Sequence, residues 1–361
     1  MMKVLQVLPS LQNGGAEKFV CELANELVNE FNISCDISIM YDTDSSVGFK
    51  NHLKNVNCIC LHKKKGFDIG YLFRLYRLIK KNKYTVVHAH LTAITYLILS
   101  AILLRNVKFI ATIHSDAYFE ASHKVDKFIR RVLFRTKRVT PITISEKSNK
   151  SFKECYSVDA RIIYNGISPY DSSDSSESDG QSKSSSGDLI FIHPASCQPV
   201  KNQKMLLSVF QKITQKYSNV YLYWFGSTFH HSELFSQLSV YFSDNVKYCG
   251  CVNDIRSYLC KAHAICLSSI IEGMPMVIIE AFSVGCIPLV TPVGGCLDMI
   301  VTGKNGFISP SLDENDYYEM IEHFITLQGH ERRNISEQCL DSFKNYSIRK
   351  SAESYISAYL S

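Results

Sequence analysis

Short runs of strand-forming residues alternate with amphipathic stretches along most of the chain, and this alternation restricts the fold more than any other feature. In the first half the successive pairs are Lys3–Leu8 and Ala16–Asn29, Thr85–Ala89 and Leu91–Leu104, and Lys108–Ile113 and Lys124–Phe134. Strands that alternate with helices are typical of a parallel, doubly wound sheet. The first half is therefore predicted to be an α/β domain.

The same alternation returns after residue 187. Its elements are Asp188–His193, a helix from about Asn202, and then Val220–Phe225, Val246–Tyr248, His263–Leu267, Val277–Val284 and Ile287–Val290. A chain of 361 residues exceeds what one hydrophobic core usually organises. We therefore predict an α/β protein with two Rossmann-like domains, residues 1–168 and 188–345, and an interdomain cleft. Residues 346–361 are predicted to form a C-terminal helix that can cross back to the first domain.

Two segments depart from this alternation. Residues 171–187 read DSSDSSESDGQSKSSSG and contain no apolar side chain, so residues 169–187 are predicted to form a flexible linker. The apolar run Ile94–Leu104 has only eleven residues, whereas roughly 20 are needed to span a bilayer. We interpret this run as a buried helix.

Charge and cysteine content favour particular surroundings. The first 170 residues hold 25 Lys and Arg against 14 Asp and Glu, a formal charge of +11, and the remainder carries −6. The two halves are therefore expected to face different partners. The thirteen cysteines lack a metal-type pair of CxxC motifs, and the chain does not start with a signal-like apolar segment. Both features favour a reducing cytoplasm.

The first predicted strand ends in a turn that contains Gly14 and Gly15, and a helix follows at once. Glycines let a ligand approach the backbone closely, and the free N–H groups of a helix start favour an anion. A diphosphate would suit this turn, although an ordinary βα turn is the alternative. The turn is not GxGxxG, which disfavours NAD.

Glu272 and Glu280 form the strongest local signal, since the first lies in a Gly/Pro loop and the second in the following helix. Pro275 fits the first turn of that helix. The neighbours of Glu280 are apolar, so its carboxylate should be buried and have a partner. The turns 291–295 and 303–306 are expected at the same edge of the sheet, where they would shape the same pocket.

Histidines follow or end two neighbouring strands. His88 and His90 lie at the end of one predicted strand, and His114 lies at the end of the next. An isolated histidine is more often structural, but polar groups at adjacent strand ends of an open α/β sheet favour a site. No third ligand is evident near His88 and His90, so a metal is not the first interpretation.

The segment Ser268–Gly285, SSIIEGMPMVIIEAFSVG, resembles the signature of the retaining GT-B glycosyltransferases of glycosyltransferase family four. Residues 164–167, Tyr-Asn-Gly-Ile, resemble the element that precedes the second domain of that family. The resemblance covers nearly the whole chain. It implies a GT-B fold and sugar transfer, with retention of anomeric configuration, from a nucleotide-diphosphate sugar. UDP is the expected nucleotide, and no metal or other cofactor is expected.

The resemblance also implies roles for individual residues. His114, Glu272 and Lys201 would be catalytic, and His88 and His90 would be candidates for the acceptor side. Glu280 would bind the ribose hydroxyls of the nucleotide. The remaining donor-binding positions would be Gly14 and Gly15 at the diphosphate, Lys201 at a phosphate, Gly250 and Val252 at the base, and Glu272, Gly273, Met274, Pro275 and Met276 at the sugar and phosphates.

One departure from the family pattern concerns the arginine that the family commonly has five or three residues before its phosphate-binding lysine. Here those positions are Ser196 and Gln198. Lys201 would then act with helix N-termini and another base such as Lys204, or catalysis would be weak. The missing arginine leaves a nucleotide-sugar-binding protein without catalysis as one alternative hypothesis. A nucleotide-sugar epimerase, which can share this fold, is another.

The expected acceptor is a glycan or a lipid-linked saccharide in cell-surface polysaccharide synthesis. Residues 124–138 read KVDKFIRRVLFRTKR, and one helical face would hold Val125, Phe128, Ile129, Val132 and Leu133 with cations around it. Such a helix can bind an anionic membrane as a peripheral protein does. The alternative is an ordinary helix that packs its apolar stripe into the domain. Nucleic acid is not an expected partner, since no binding module accompanies the charge.

Overall fold

The computed structural model describes residues 2–12, 14–42, 48–121, 123–171, 187–228, 231–252 and 254–361. The chain divides into two compact units, Met1–Ser168 with Tyr346–Ser361, and Pro169–Asn345. Most of the predicted linker 169–187 lies outside the described residues, because these omit 172–186.

The first unit contains a seven-stranded sheet. Its strands are β1 (Lys3–Leu8), β2 (Ser34–Ile39), β3 (Asn57–Cys60), β4 (Val86–His90), β5 (Lys108–Ile113), β6 (Thr140–Thr143) and β7 (Arg161–Ile162). The order across the sheet is β3-β2-β1-β4-β5-β6-β7, and all neighbours are parallel. The carboxyl ends of β1, β4 and β5 therefore lie side by side at one edge.

Helices connect these strands, as a parallel sheet requires. They are α1 (Gly15–Asn29), α2 (Ile69–Asn82), α3 (Ile98–Leu103), α4 (Ala117–Glu120), α5 (Lys124–Arg135) and α6 (Glu146–Tyr156). Buried apolar residues of α2, α3, α5 and α6 share one core cluster with β1, β4 and β5. This core holds the ends of those three strands in place.

The apolar run Ile94–Leu104 is not one buried helix as predicted. Its first part belongs to a 3-10 helix, Leu91–Leu97, which is followed by α3. Residues 93–97 are buried, but Ile102 and Leu103 are 56% and 55% exposed. The run passes from core to surface, which its uniformly apolar composition does not indicate. In the part of the chain that the structure describes, no helix combines the length and apolar character needed to cross a bilayer.

The second unit contains a six-stranded parallel sheet in the order β10-β9-β8-β11-β12-β13. Its strands are β8 (Leu189–Pro194), β9 (Val220–Phe225), β10 (Val246–Gly250), β11 (Ala264–Leu267), β12 (Ile287–Val290) and β13 (Phe307–Ile308). Its helices are α7 (Gln203–Lys216), α8 (Ser232–Leu238), α9 (Arg256–Leu259), α10 (Met276–Ser283), α11 (Cys296–Met299), α12 (Glu314–Thr326) and α13 (Gly329–Phe343).

The helix α14 (Ile348–Leu360) follows the second unit in sequence but belongs to the first. The N–H of Ile348 donates to the carbonyl of Ile167 at 2.9 Å. A Cβ atom on Gly166 would lie 2.4 Å from the carbonyl oxygen of Ser347, so only glycine permits this close approach. The Tyr-Asn-Gly-Ile element thus forms the contact surface for the start of α14.

Candidate active site

An ion pair lies at the carboxyl edge of the second sheet. Lys201 Nζ is 2.7 Å from Glu272 Oε1, and Ser269 Oγ donates to the same oxygen at 2.6 Å. The Lys201 and Glu272 side chains are 24% and 10% exposed. Because Lys201 follows β8 and Glu272 follows the neighbouring β11, the pair occupies the edge where open α/β sheets bind ligands.

The turn 291–295 packs directly against the loop that carries Glu272. Gly295 N–H donates to the Gly273 carbonyl at 2.6 Å, and Thr291 Oγ1 donates to the Ser269 carbonyl at 2.6 Å. Gly294 has a φ of +54°, and a Cβ there would lie 1.9 Å from the Glu272 carbonyl oxygen. Only glycine fits this position, so the turn shapes the same site.

The turn 303–306 was predicted at that same edge, and this prediction is wrong. The turn precedes β13, and a Cβ on Gly306 would lie 2.7 Å from the carbonyl oxygen of Pro288, near the start of β12. A turn that leads into a strand lies at its amino end. In a parallel sheet that is the edge opposite to the ion pair.

Glu280 lies within α10 and is 4% exposed, as its apolar neighbours predict. Met274, Pro275 and Met276 are also buried, and Gly273 is half-buried. Pro275 was predicted inside the first helical turn, but its backbone is extended and it immediately precedes the helix. The two carboxylates therefore differ in their surroundings, since Glu272 lies in a partly exposed ion pair and Glu280 is buried within the unit.

The backbones of three strand ends lie close together on the other side of β8. The N–H of Gly226 donates to the Gly250 carbonyl at 2.8 Å, and a Cβ on Gly226 would lie 2.1 Å from the Ala195 carbonyl oxygen. Gly250 has a φ of +76° with open space where a Cβ would be, and Val252 is half-buried. A planar group could therefore approach the backbone at Gly250.

Ser196 and Gln198, which replace the expected arginine, bond to each other. Gln198 Nε2 donates to Ser196 Oγ at 3.0 Å, and Gln203 Nε2 donates to the Ser196 carbonyl at 2.9 Å. Lys204 is exposed. The segment between β8 and α7 thus supplies neutral polar groups at the positions where an arginine would supply charge.

Gly14 and Gly15 lie at the start of α1, where the sequence predicts them. Glu17 folds back over this helix start, since a Cβ on Gly14 would lie 2.2 Å from Glu17 Oε2. Burial raises the pKa of Glu17. A carboxylate of the chain itself therefore covers the predicted anion site.

The three histidines form one buried cluster in the first unit. His88 and His90 are fully buried, and His114 is 8% exposed. His90 Nδ1 lies 2.9 Å from His114 Nε2, so a third imidazole is close to the pair where none was expected. Burial lowers the pKa of His88 and His90 well below the ordinary value and that of His114 to about 3. All three rings are therefore neutral near pH 7.

Side chains of β1, β5 and α14 complete this cluster. The contacts are His90 Nε2 to Gln6 Oε1 at 2.8 Å, Gln6 Nε2 to Tyr359 OH at 3.2 Å, His88 Nδ1 to Tyr359 OH at 2.9 Å, His88 Nε2 to Thr112 Oγ1 at 2.7 Å, and Thr112 Oγ1 to Tyr355 OH at 3.0 Å. His88 and His90 use both ring nitrogens here. The acceptor-side role of His88 and His90 stays a prediction, whereas His114 Nδ1 is buried without a hydrogen-bond partner among the described residues.

A buried ion pair fixes the backbone that carries His114. Glu120 Oε1 accepts the N–H groups of His114 and Ser115 at 2.5 and 3.0 Å. Its other oxygen lies 3.5 Å from Arg130, which is 1% exposed and also donates to the Leu91 carbonyl at 2.9 Å. Burial raises the pKa of Glu120, and the arginine and the two N–H groups oppose that rise. Glu120 therefore holds the loop of His114 through charge-assisted hydrogen bonds.

Sequence reasoning missed several of these residues. They are Gln6, Glu120, Tyr355 and Tyr359, together with the buried position of Arg130. Gln6 carries a signal, because it is the polar residue within the apolar strand KVLQVL, and a buried amide needs partners. Tyr355 and Tyr359 contact partners more than two hundred positions away. Glu120 lies only five to ten positions from Ser115, His114 and Arg130, but nothing in the sequence distinguishes it from a surface carboxylate.

Two family models match the chain, Glycosyltransferase Family 4 over residues 13–170 and Glycosyl transferases group 1 over residues 174–339. A Campylobacter jejuni protein is 23% identical over 352 residues, 94% of each chain. It is described as a GalNAc-α-(1→4)-GalNAc-α-(1→3)-diNAcBac-PP-undecaprenol α-1,4-N-acetyl-D-galactosaminyltransferase.

Solved structures share the fold of the whole chain. The Anabaena protein HepE in complex with UDP and glucose is 16% identical, with a TM-score of 0.79 and 99% of each chain covered. A glycosyltransferase from Rickettsia africae is 17% identical, with a TM-score of 0.81 over 99% of this chain and 97% of that one. The predicted α/β, two-sheet fold is confirmed. Since the two models together match most of the chain, the protein belongs to glycosyltransferase family four and is a glycosyltransferase of the GT-B fold.

Proposed function

We propose that this glycosyltransferase moves a sugar from a UDP-sugar to a glycan or lipid-linked saccharide, with retention of anomeric configuration, in cell-surface polysaccharide synthesis. The observation that carries the proposal is the Lys201–Glu272 pair at the ligand-binding edge of the second sheet. The Anabaena complexes with UDP and UDP-glucose support the choice of donor. The undecaprenol-linked acceptor in the Campylobacter protein's name supports the choice of acceptor.

In this proposal Lys201 stabilises the leaving diphosphate, because an ammonium group placed where negative charge develops lowers the barrier. Ser269 and Lys201 hold Glu272 so that its carboxylate can accept hydrogen bonds from the hydroxyl groups of the sugar. Backbone N–H groups of residues 273–276 bind the sugar and phosphates.

The nucleotide is proposed to lie along the same unit, with Glu280 at the ribose and the base beside Gly250 and Val252. The open space at Gly250 supports that placement. In the first unit, the Glu17 carboxylate would have to turn away before an anion could reach the helix start at Gly14 and Gly15. No metal or other cofactor has a step in this scheme.

Purified protein incubated with several UDP-sugars and lipid-linked acceptors tests the function. We expect one pair to give a product whose anomeric configuration, measured by NMR, equals that of the donor. A UDP-sugar that changes its own configuration without an acceptor would indicate an epimerase instead. If nucleotide sugars bind but neither transfer nor donor hydrolysis occurs, the protein is a binding protein.

Replacing Glu280 is expected to weaken UDP binding by about 1–3 kcal/mol, the usual cost of removing a buried polar partner. Calorimetry with UDP on Glu280→Gln, which keeps the side-chain size, measures the effect. Glu322→Gln is the matched control, because Glu322 is a partly exposed glutamate of the same unit that forms an ion pair with Lys216. Equal affinity in wild type and a folded Glu280→Gln protein would exclude the ribose role.

The surface of α5 supports peripheral binding to an anionic membrane. Val125, Phe128 and Val132 are 63%, 67% and 37% exposed, so this part of the apolar stripe does not pack into the domain. Leu133 is buried, so the stripe divides between core and surface. The neighbouring Phe119 is 66% exposed. Exposed aromatic and aliphatic side chains surrounded by lysines suit an anionic lipid surface.

The sequence placed Arg130 among the cations of this surface, and that placement is wrong. Arg130 is buried because Glu120, the Leu91 carbonyl and the Thr95 hydroxyl accept hydrogen bonds from its guanidinium. The exposed or half-buried lysines are Lys124, Lys127 and Lys137. A membrane test should therefore leave Arg130 unchanged.

Changing Lys124, Lys127 and Lys137 to Gln is expected to weaken binding to phosphatidylserine vesicles roughly a hundredfold at low salt, since each cation contributes about 1 kcal/mol. Vesicle co-sedimentation measures this loss. The matched control changes Lys212, Lys216 and Lys344 to Gln, three lysines in exposed ion pairs of the second unit. Equal vesicle binding by both variants would show that α5 does not contact the membrane.

A further inference from the structure

In the buried cluster around His114, the hydrogen-bond partners determine which ring nitrogens donate and which accept. Gln6 is fully buried, and its amide contacts His90 through Oε1 and Tyr359 through Nε2. An amide oxygen only accepts a hydrogen bond, so His90 Nε2 must carry a proton. The single amide of Gln6 therefore decides which nitrogen of His90 is protonated.

The protonated nitrogen of His90 in turn determines which nitrogen of His114 is protonated. The low pKa values of His90 and His114 mean that each ring carries one proton near pH 7. With its proton on Nε2, His90 presents a lone pair at Nδ1, and His114 Nε2 must donate to it across 2.9 Å. This leaves His114 Nδ1 as a lone pair, buried and without a partner among the described residues.

The backbone on the other side of His114 is also fixed. Glu120 accepts the N–H groups of His114 and Ser115. A buried acceptor without a partner costs free energy, and such an atom at the edge of a parallel sheet can be satisfied by a ligand. A hydroxyl group can donate a hydrogen bond to His114 Nδ1, and a sugar substrate carries several hydroxyl groups.

We infer that Gln6 and His90 are positioning residues that hold His114 in the Nε2–H tautomer, so that Nδ1 accepts a hydrogen bond from a substrate hydroxyl. The part of this inference that concerns the substrate hydroxyl rests on the proposed function. The part that concerns the tautomer of His114 does not. The hydroxyl belongs either to the donor sugar or to the acceptor.

Long-range ¹H–¹⁵N NMR of wild-type protein labelled with ¹⁵N-histidine tests the tautomer directly. We expect an unprotonated Nδ1 and a protonated Nε2 in both His90 and His114, with signals assigned by His90→Gln and His114→Gln variants. Protonated Nδ1 atoms in both rings would overturn the inference. This measurement needs no activity, so it stands even if the proposed function fails.

Gln6→Met tests the positioning role, because methionine has a similar length and cannot accept the His90 proton as an amide does. Loss of one good hydrogen bond corresponds to roughly tenfold in kcat/KM. Tyr355→Phe is the matched control, since it removes a hydroxyl of the same cluster that contacts neither Gln6, His90 nor His114. We expect its His114 tautomer to be that of wild type.

The change in KM identifies the hydroxyl. If Gln6→Met raises the KM for the UDP-sugar, the hydroxyl belongs to the donor. If it raises the KM for the acceptor substrate, the hydroxyl belongs to the acceptor. If Gln6→Met keeps wild-type kcat/KM for both substrates, the positioning role is excluded. If wild-type protein transfers no sugar, the proposed function fails while the NMR pattern still decides the tautomer.

Discussion

At about pH 4.5 the first unit is expected to be less stable than at about pH 6.5 by roughly 5 kcal/mol, because its histidine cluster resists protonation. Burial lowers the pKa of His88 and His90 well below their ordinary value of 6.5, and that of His114 to about 3. Below pH 6.5 the unfolded chain binds protons that the folded cluster does not. Stability is therefore lost as the pH falls from about 6.5 towards 3.

Over the two pH units from 6.5 to 4.5 each histidine contributes about 2 kcal/mol, because the unfolded ring is only half protonated at pH 6.5, and the three together contribute roughly 6 kcal/mol. Glu120 acts in the opposite direction, since burial raises its pKa, but it is one group against three. Hydrogen exchange followed by mass spectrometry measures the free energy of opening in each unit separately. The second unit serves as an internal comparison, because there burial lowers the pKa of His193 to about 4. Equal opening free energies of the first unit at both pH values would contradict the prediction.

Lys201→Met is expected to lower kcat about 10²–10³-fold, the usual loss when one group that stabilises developing negative charge is removed. The reason is that Ser196 and Gln198 are neutral, so Lys201 is the cation that the β8–α7 segment holds by an ion pair at the site. Stopped assays with saturating UDP-sugar and acceptor measure kcat.

Lys212→Met is the matched control for this change. Lys212 lies on α7 of the same unit and forms an exposed ion pair with Glu314, so its replacement is expected to alter kcat little. Loss of kcat by less than threefold in folded Lys201→Met would mean that another group stabilises the diphosphate.

The fold was predictable because its signals are local. Lys3–Leu8, Lys108–Ile113, Val220–Phe225 and Ile287–Val290 were predicted to the residue. A strand that is buried on both faces appears in the sequence as a short apolar run followed by a helical pattern. Such a run can be recognised without knowledge of distant contacts. The buried position of Glu280 follows in the same way from its neighbours.

The site was less predictable because its side chains meet across the chain. The helical pattern of α5 places Arg130 among surface cations, and only the position of Glu120 shows that it is buried. The turn 303–306 has the same composition as a ligand-binding turn, but its order relative to β13 puts it at the opposite edge. Tyr355 and Tyr359 read as ordinary helical residues, since their partners are more than two hundred positions away.

The return of α14 to the first unit has a consequence for synthesis on the ribosome. Domains generally begin to fold as they emerge, the N-terminal one first. Here the first unit has all its strands at that time but lacks the helix that supplies Tyr355 and Tyr359. His88 and Thr112 therefore lack these hydrogen-bond partners while the second unit is translated. The histidine cluster can therefore be completed only after the second unit has been made.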